Sequence, residues 1–187
     1  MTTRALAVVS ILGVLVASAL ADDITEAMDQ ARKAYQGGDL SGAKQSLDLA
    51  SQLIGQKNAE GFAELLPAPL PGWKAEKAQT TALGQMAFGA SVASRSYSNA
   101  KGDTIEVQIT GDSAMIMQFA TLLNNPAIAG AMGKIIRVGS QRAIQTGEGD
   151  INMVIANKFL VTVQGSADAA AKMAYAQAVD VAKLSKM

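Results

Sequence analysis

Three of the chain's four prolines fall within Pro67-Ala68-Pro69-Leu70-Pro71-Gly72. Proline has no amide hydrogen to donate and its ring fixes φ, so neither a helix nor a central strand runs through such a stretch. An extended connection at residues 67–72 is therefore expected, and it parts two regions with different patterns. Over about Asp22 to Leu66 the chain is polar-helical and poor in β-branched residues; from Trp73 to Met187, strand and helix patterns alternate.

The upstream region opens with one charge, Arg4, and the apolar run from Ala5 to Val16. Ala19-Leu20-Ala21 supplies the small-x-small pattern that a signal peptidase needs, and Asp22 and Asp23 follow at once. A basic start, a short apolar run and a small-residue site in that order read as a signal peptide, residues 1–21, cleaved between Ala21 and Asp22. The run is short for a bilayer span, and no later run is long enough for one, so no transmembrane span is expected after cleavage. Residues 22–66 then read as a helical hairpin. Ile24, Met28, Ala31 and Tyr35 recur at helical spacing, Gly37-Gly38 stops the helix, and Asp39 caps the next. Leu40, Ala43, Leu47, Ala50 and Ile54 form a second stripe, and a third short helix is expected over 59–66.

Residues 73–187 read as an α+β domain. Residues 80–90 are small and are expected as loop. Ser91 to Ser98 reads as a strand, and residues 99–103 as a turn. Thr104 to Thr110 alternates, with Ile105, Val107 and Ile109 to one side. Asp112 is expected to cap a helix over 113–123. The order then repeats: short strands at 135–138 and 142–146, a turn at 147–150, strands at 151–156 and 159–164 joined by a tight hairpin at Asn157-Lys158, and a last helix running to about Lys183. The fold class expected is α+β: an N-terminal helical hairpin, then an antiparallel sheet with two helices built as a duplicated βββα unit.

Certain short sequences stand out: Leu70-Pro71-Gly72-Trp73 followed by Ala75-Glu76; Asp112-Ser113 before a Met-rich helix ending at Asn125-Pro126; and Phe159-Leu160-Val161-Thr162-Val163-Gln164-Gly165-Ser166. In these the chain resembles a family of small exported proteobacterial proteins of unassigned function. The resemblance covers about two thirds of the chain. It implies a fold and a compartment, periplasmic or secreted, and brings no functional residues with it.

Composition narrows the chemistry. Lys+Arg and Asp+Glu both number 16, so no basic excess exists to neutralise phosphates and nucleic acid is not an expected partner. Cysteine is absent, which removes disulfides and the lipid attachment point of a bacterial lipoprotein. Histidine is absent too, and with it the commonest general base and transition-metal ligand. Met115 and Met117 sit two apart on a predicted helix and point in different directions, so they do not chelate one soft metal ion there. Asp103, Glu148 and Asp150 fall in predicted turns, where acids need no function. A calcium loop at Gly147-Glu148-Gly149-Asp150 lacks EF-hand spacing. Gly139-Ser140 and Gly165-Ser166 lack the nucleophile-elbow pattern, and Ser113 has no Lys three residues on.

No catalytic residue, cofactor or metal is assigned on this basis. The function expected is a non-enzymatic periplasmic binding or accessory protein engaging another protein. The alternatives are a carrier of a small apolar ligand or lipid and, last, a hydrolase built on carboxylates or a Ser/Lys pair. Trp73, Tyr35 and Phe88 are the candidate interface residues, because exposed aromatics anchor protein contacts; Trp73 has the competing reading of pinning the proline-rich stretch to the sheet.

Overall fold

The computed structural model describes residues 12–82 and 89–187, with side chains from Asp22 onward except at 115, 122–124 and 126. Two long helices come first, α1 (Leu12–Gln36) and α2 (Leu40–Glu64). They form a hairpin, and α1 continues unbroken through Ala21 and Asp22. Gly38 makes the turn at φ +83°, a left-handed conformation that side chains resist, and the Asp39 carboxylate accepts the Gly42 amide at 2.9 Å to start α2. The chain divides into two compact units, Met1–Leu53 and Ile54–Met187, so the last turns of α2 belong with the sheet.

The second unit carries strands β1 (Trp73–Ala75), β2 (Gln79–Ala82), β3 (Ser91–Asn99), β4 (Thr104–Gly111), β5 (Lys134–Val138), β6 (Gln141–Gln145), β7 (Ile151–Ile155) and β8 (Phe159–Gln164). Helices α3 (Ala114–Asn124) and α4 (Pro126–Met132) follow β4; α5 (Ala169–Ala178) and α6 (Val181–Leu184) follow β8. The strands form one antiparallel sheet in the order β1-β3-β4-β8-β7-β6-β5, with β2 sharing the β3 edge with β1. The two strands that lead into helices, β4 and β8, pair at the centre, Gln108 opposite Thr162. Each half runs strands into helices, β1–β4 before α3 and α4 and β5–β8 before α5 and α6; β5 to β8 form a meander, whereas β1 and β2 both pair with β3.

Alternation decides which face is core. Ile105, Val107 and Ile109 of β4, Val161 and Val163 of β8, and Ile151, Met153 and Ile155 of β7 are all buried on one face. Phe62 and Leu66 at and beyond the end of α2, Tyr175 and Ala176 of α5, and Leu184 of α6 complete this core. The Phe62 and Phe159 rings meet edge to face at 5.5 Å. Gly111 makes that possible, since a Cβ there would sit 2.6 Å from the Phe62 ring. The opposite face carries Ser94, Ser96, Gln108, Thr110, Asn152 and Thr162. Over β6 and β7 it turns apolar, where Ile144 and Val154 pack with Phe119 of α3 and Ala129 of α4.

Some expectations need correcting. The second and third helices are one, because Gly55 and Gly61 do not interrupt α2. They let it approach its neighbours closely: a Cβ on Gly55 would lie 3.3 Å from Ala82 and one on Gly61 3.2 Å from Met187. Part of the expected loop at 80–90 is strand β2, whose Thr80 and Thr81 pair with Ala93 and Val92. The last helix is broken at Val179, because the Asp180 side chain accepts the Lys183 amide and starts a separate helix. The β7–β8 turn centres on Ala156-Asn157, at φ 53° and 54°, rather than on Asn157-Lys158. The Asp112 carboxylate is taken by Asn58, whose side-chain amide donates to it at 2.8 Å.

Candidate functional site

The hairpin is the first place where the packing leaves something unexplained. Its buried positions are alanines: Ala27 and Ala31 on α1, Ala43 and Ala50 on α2. With the partly buried Ile24, Ala34, Ser46 and Leu53 they recur at alternating three- and four-residue steps, the seam of two packed helices. Met28 and Tyr35 lie one residue past that seam on α1, as do Leu40 and Leu47 on α2. In an antiparallel pair those positions flank the same side of the seam. All four are exposed: Met28 54%, Tyr35 69%, Leu40 67% and Leu47 56%. The other side of the seam is polar apart from Leu49, with Asp23, Glu26 and Gln30 around a shallow groove. The fully buried residues are thus small, and four large apolar ones are exposed on one side of the seam.

Trp73 has a different setting. The Tyr97 hydroxyl donates to the Pro67 carbonyl at 2.6 Å, and the Arg95 guanidinium donates to the same oxygen at 3.2 Å. The Leu70 amide donates to the Tyr175 hydroxyl at 3.2 Å. Tyr175 then meets Trp73 edge to face at 5.5 Å and Tyr97 at 4.4 Å. Trp73 is partly buried and helps strap the proline-rich stretch to the sheet. Burial pushes the Tyr97 hydroxyl up to about 12, and burial raises Tyr175 in the same direction. Phe88 lies outside the described residues.

Two of the turn acids, Asp103 and Asp150, have structural partners. Asp103 accepts from the Asn99 side chain at 2.7 Å. The turn at 147–150, considered above for calcium, is occupied by an ammonium: buried Lys172 donates to the Glu148 carbonyl at 2.9 Å and to the Asp150 carboxylate at 2.6 Å. This ties the turn to α5. Glu76, Glu106, Glu148 and Asp150 line an open groove of about 540 Å³ beside it. Among the described residues no group of three or more acids is placed to hold a metal ion. Met117 is exposed, and the Met115 side chain is not among those described.

One cleft is partly apolar. It encloses about 190 Å³ between α3 and the β6–β7 end of the sheet, with Ala120, Ile144 and Val154 as walls and Gln141, Arg142 and Asn157 at the rim. Sequence reasoning did not single out this cleft. The only local signal was the pair Arg137 and Arg142 flanking a two-residue turn. No family model matches the chain, and no curated protein or solved structure does. Among the described residues no helix is long and apolar enough to cross a membrane.

Proposed function

We propose that the chain is an exported, non-enzymatic binding protein that docks on another protein through its N-terminal hairpin. The observation that carries this reading is the exposure of Met28, Tyr35, Leu40 and Leu47 along one side of an alanine seam. Large apolar side chains gathered on one face gain free energy only when something covers them, and such patches mark contact surfaces. An aromatic and a Met in the patch suit a protein partner. Export rests on the signal pattern ending at Ala19-Leu20-Ala21, and predicts a mature chain that starts at Asp22, free in the periplasm or secreted. The likeness to small exported proteobacterial proteins points to the same compartment.

The test is a photo-cross-linking amino acid placed at Tyr35 in the chain expressed from its natural leader. A discrete adduct with one other protein is expected, and it should vanish when Leu47→Asp is added. An adduct containing only this chain would replace docking by self-association, and no adduct would sink the reading. A second reading, carriage of a small apolar ligand, rests on the cleft walled by Ala120, Ile144 and Val154.

A further inference from the structure

The arginines beside that cleft are placed against one another. In the β5–β6 pair Arg137 stands directly opposite Arg142, so both side chains leave the same face of the sheet. Directly opposed like charges destabilise a strand pair. Both residues are exposed, and among the described residues neither has an ion-pair partner. Arg142 also forms part of the cleft rim, with Gln141 and Asn157, and among the described residues no acid lines the cleft. Asn157 is presented there by the two-residue β7–β8 turn, in which Ala156 and Asn157 both adopt the left-handed φ, 53° and 54°, that this tight hairpin turn requires.

An anion between the two guanidiniums would turn their repulsion into two charge-assisted contacts, for which the planar fork of arginine is shaped. Behind that position Ile144 is buried, and Val154 and Ala120 present apolar surface. The cleft is smaller than an ordinary drug-sized site. A volume of 190 Å³ matches about six water-sized groups. We propose that the cleft binds a small amphiphilic carboxylate, its headgroup between Arg142 and Arg137 and its short aliphatic body against Ile144, Val154 and Ala120. This rests on the carrier reading and is independent of the hairpin.

The experiment is an amide-shift titration of the mature protein with hexanoate, beside hexan-1-ol and acetate. Hexanoate is expected to move the amides of 141–144 and 154–157, and hexanol and acetate to bind at least about tenfold more weakly, as one lost charge-assisted contact or one lost apolar body implies. Arg142→Gln should weaken hexanoate about tenfold and Arg137→Gln about threefold, smaller because Arg137 stands outside the rim. Both side chains are exposed and each variant removes one of two opposed charges, so melting temperatures are expected to hold or rise slightly, which would confirm that the variants fold. Hexanol binding as well as hexanoate would overturn the carboxylate assignment while leaving an apolar carrier. Acetate binding as well as hexanoate would reduce the site to an anion contact and overturn the amphiphile. Hexanoate leaving these amides unmoved would end both readings of the cleft.

Discussion

The hairpin and the sheet unit use their apolar residues in opposite ways. In the sheet unit the core is built of large side chains: Tyr97, Tyr175, Ile105, Ile109, Ile151 and Met153 are fully buried, and exposed ones such as Met117 and Met132 lie on α3 and α4. In the hairpin the sealed positions are alanines, and Met28, Tyr35, Leu40 and Leu47 face outward. Burial stabilises by about 25 cal/mol per Å² of apolar surface, and an alanine has little to bury. The sheet unit therefore draws its stability from its own core, whereas the hairpin leaves four large apolar side chains exposed along one side. A unit that seals its large side chains and one that exposes them respond differently to mutation, and the difference is measurable.

The largest effect belongs to the sealed unit. Tyr175→Ala removes the ring between Trp73 and Tyr97 and leaves the Leu70 amide without its acceptor. A loss of about 3–5 kcal/mol in urea unfolding is expected. A loss under about 1 kcal/mol would mean that the aromatic strap does not hold the unit, and would weaken the contrast. Alkali probes the same cluster more gently. The Tyr97 hydroxyl is raised to about 12 from an ordinary 10.0. Below pH 10 both folded and unfolded chains keep the proton and the stabilisation is whole. Between pH 10 and 12 the unfolded chain releases it and the folded chain does not, so stability falls with rising pH. The fall attributable to Tyr97 is about 2–3 kcal/mol, and Tyr175 adds in the same sense. Thermal melts from pH 8 to 12 should show this decline, and Tyr97→Phe should flatten it; an equally steep decline in the variant would place its cause elsewhere.

How far each region could be read from sequence follows the same division. The alternation in Ile105, Val107 and Ile109 located β4 and its core face because a half-buried strand writes its burial at period two. Gln79–Ala82 escaped notice because this strand is exposed over three of its four residues, and an exposed edge leaves no apolar trace. The expected third helix over 59–66 merged with the second because α2 runs on through Gly55 and Gly61, where a Cβ would lie 3.3 Å from Ala82 and 3.2 Å from Met187, contacts only the fold supplies. In the hairpin the stripes Ile24-Met28-Ala31-Tyr35 and Leu40-Ala43-Leu47-Ala50 were visible, but periodicity cannot say which part of a broad stripe faces its partner helix. The cleft was beyond reach, because Ala120, Ile144 and Val154 come together only when α3 crosses the sheet.

The sharpest contrast within the hairpin sets two apolar positions against each other. Ala31 is 5% exposed on the seam, and Leu47, at 56%, is outside it. Ala31→Leu adds volume where two helices meet, and overpacking of this kind costs about 1–3 kcal/mol. It should raise hydrogen exchange at the amides of 27–34 and lower the helical signal on mild heating. Leu47→Ser removes a much larger apolar group, yet in the isolated chain it should change stability by no more than about 0.5 kcal/mol, as an exposed substitution does. Composition alone would rank the two the other way, since a lost leucine is the greater loss of hydrophobic surface. Should Leu47→Ser prove as costly as Ala31→Leu, Leu47 would be covered within the free chain, and the face assigned to a partner would be part of the hairpin's own packing.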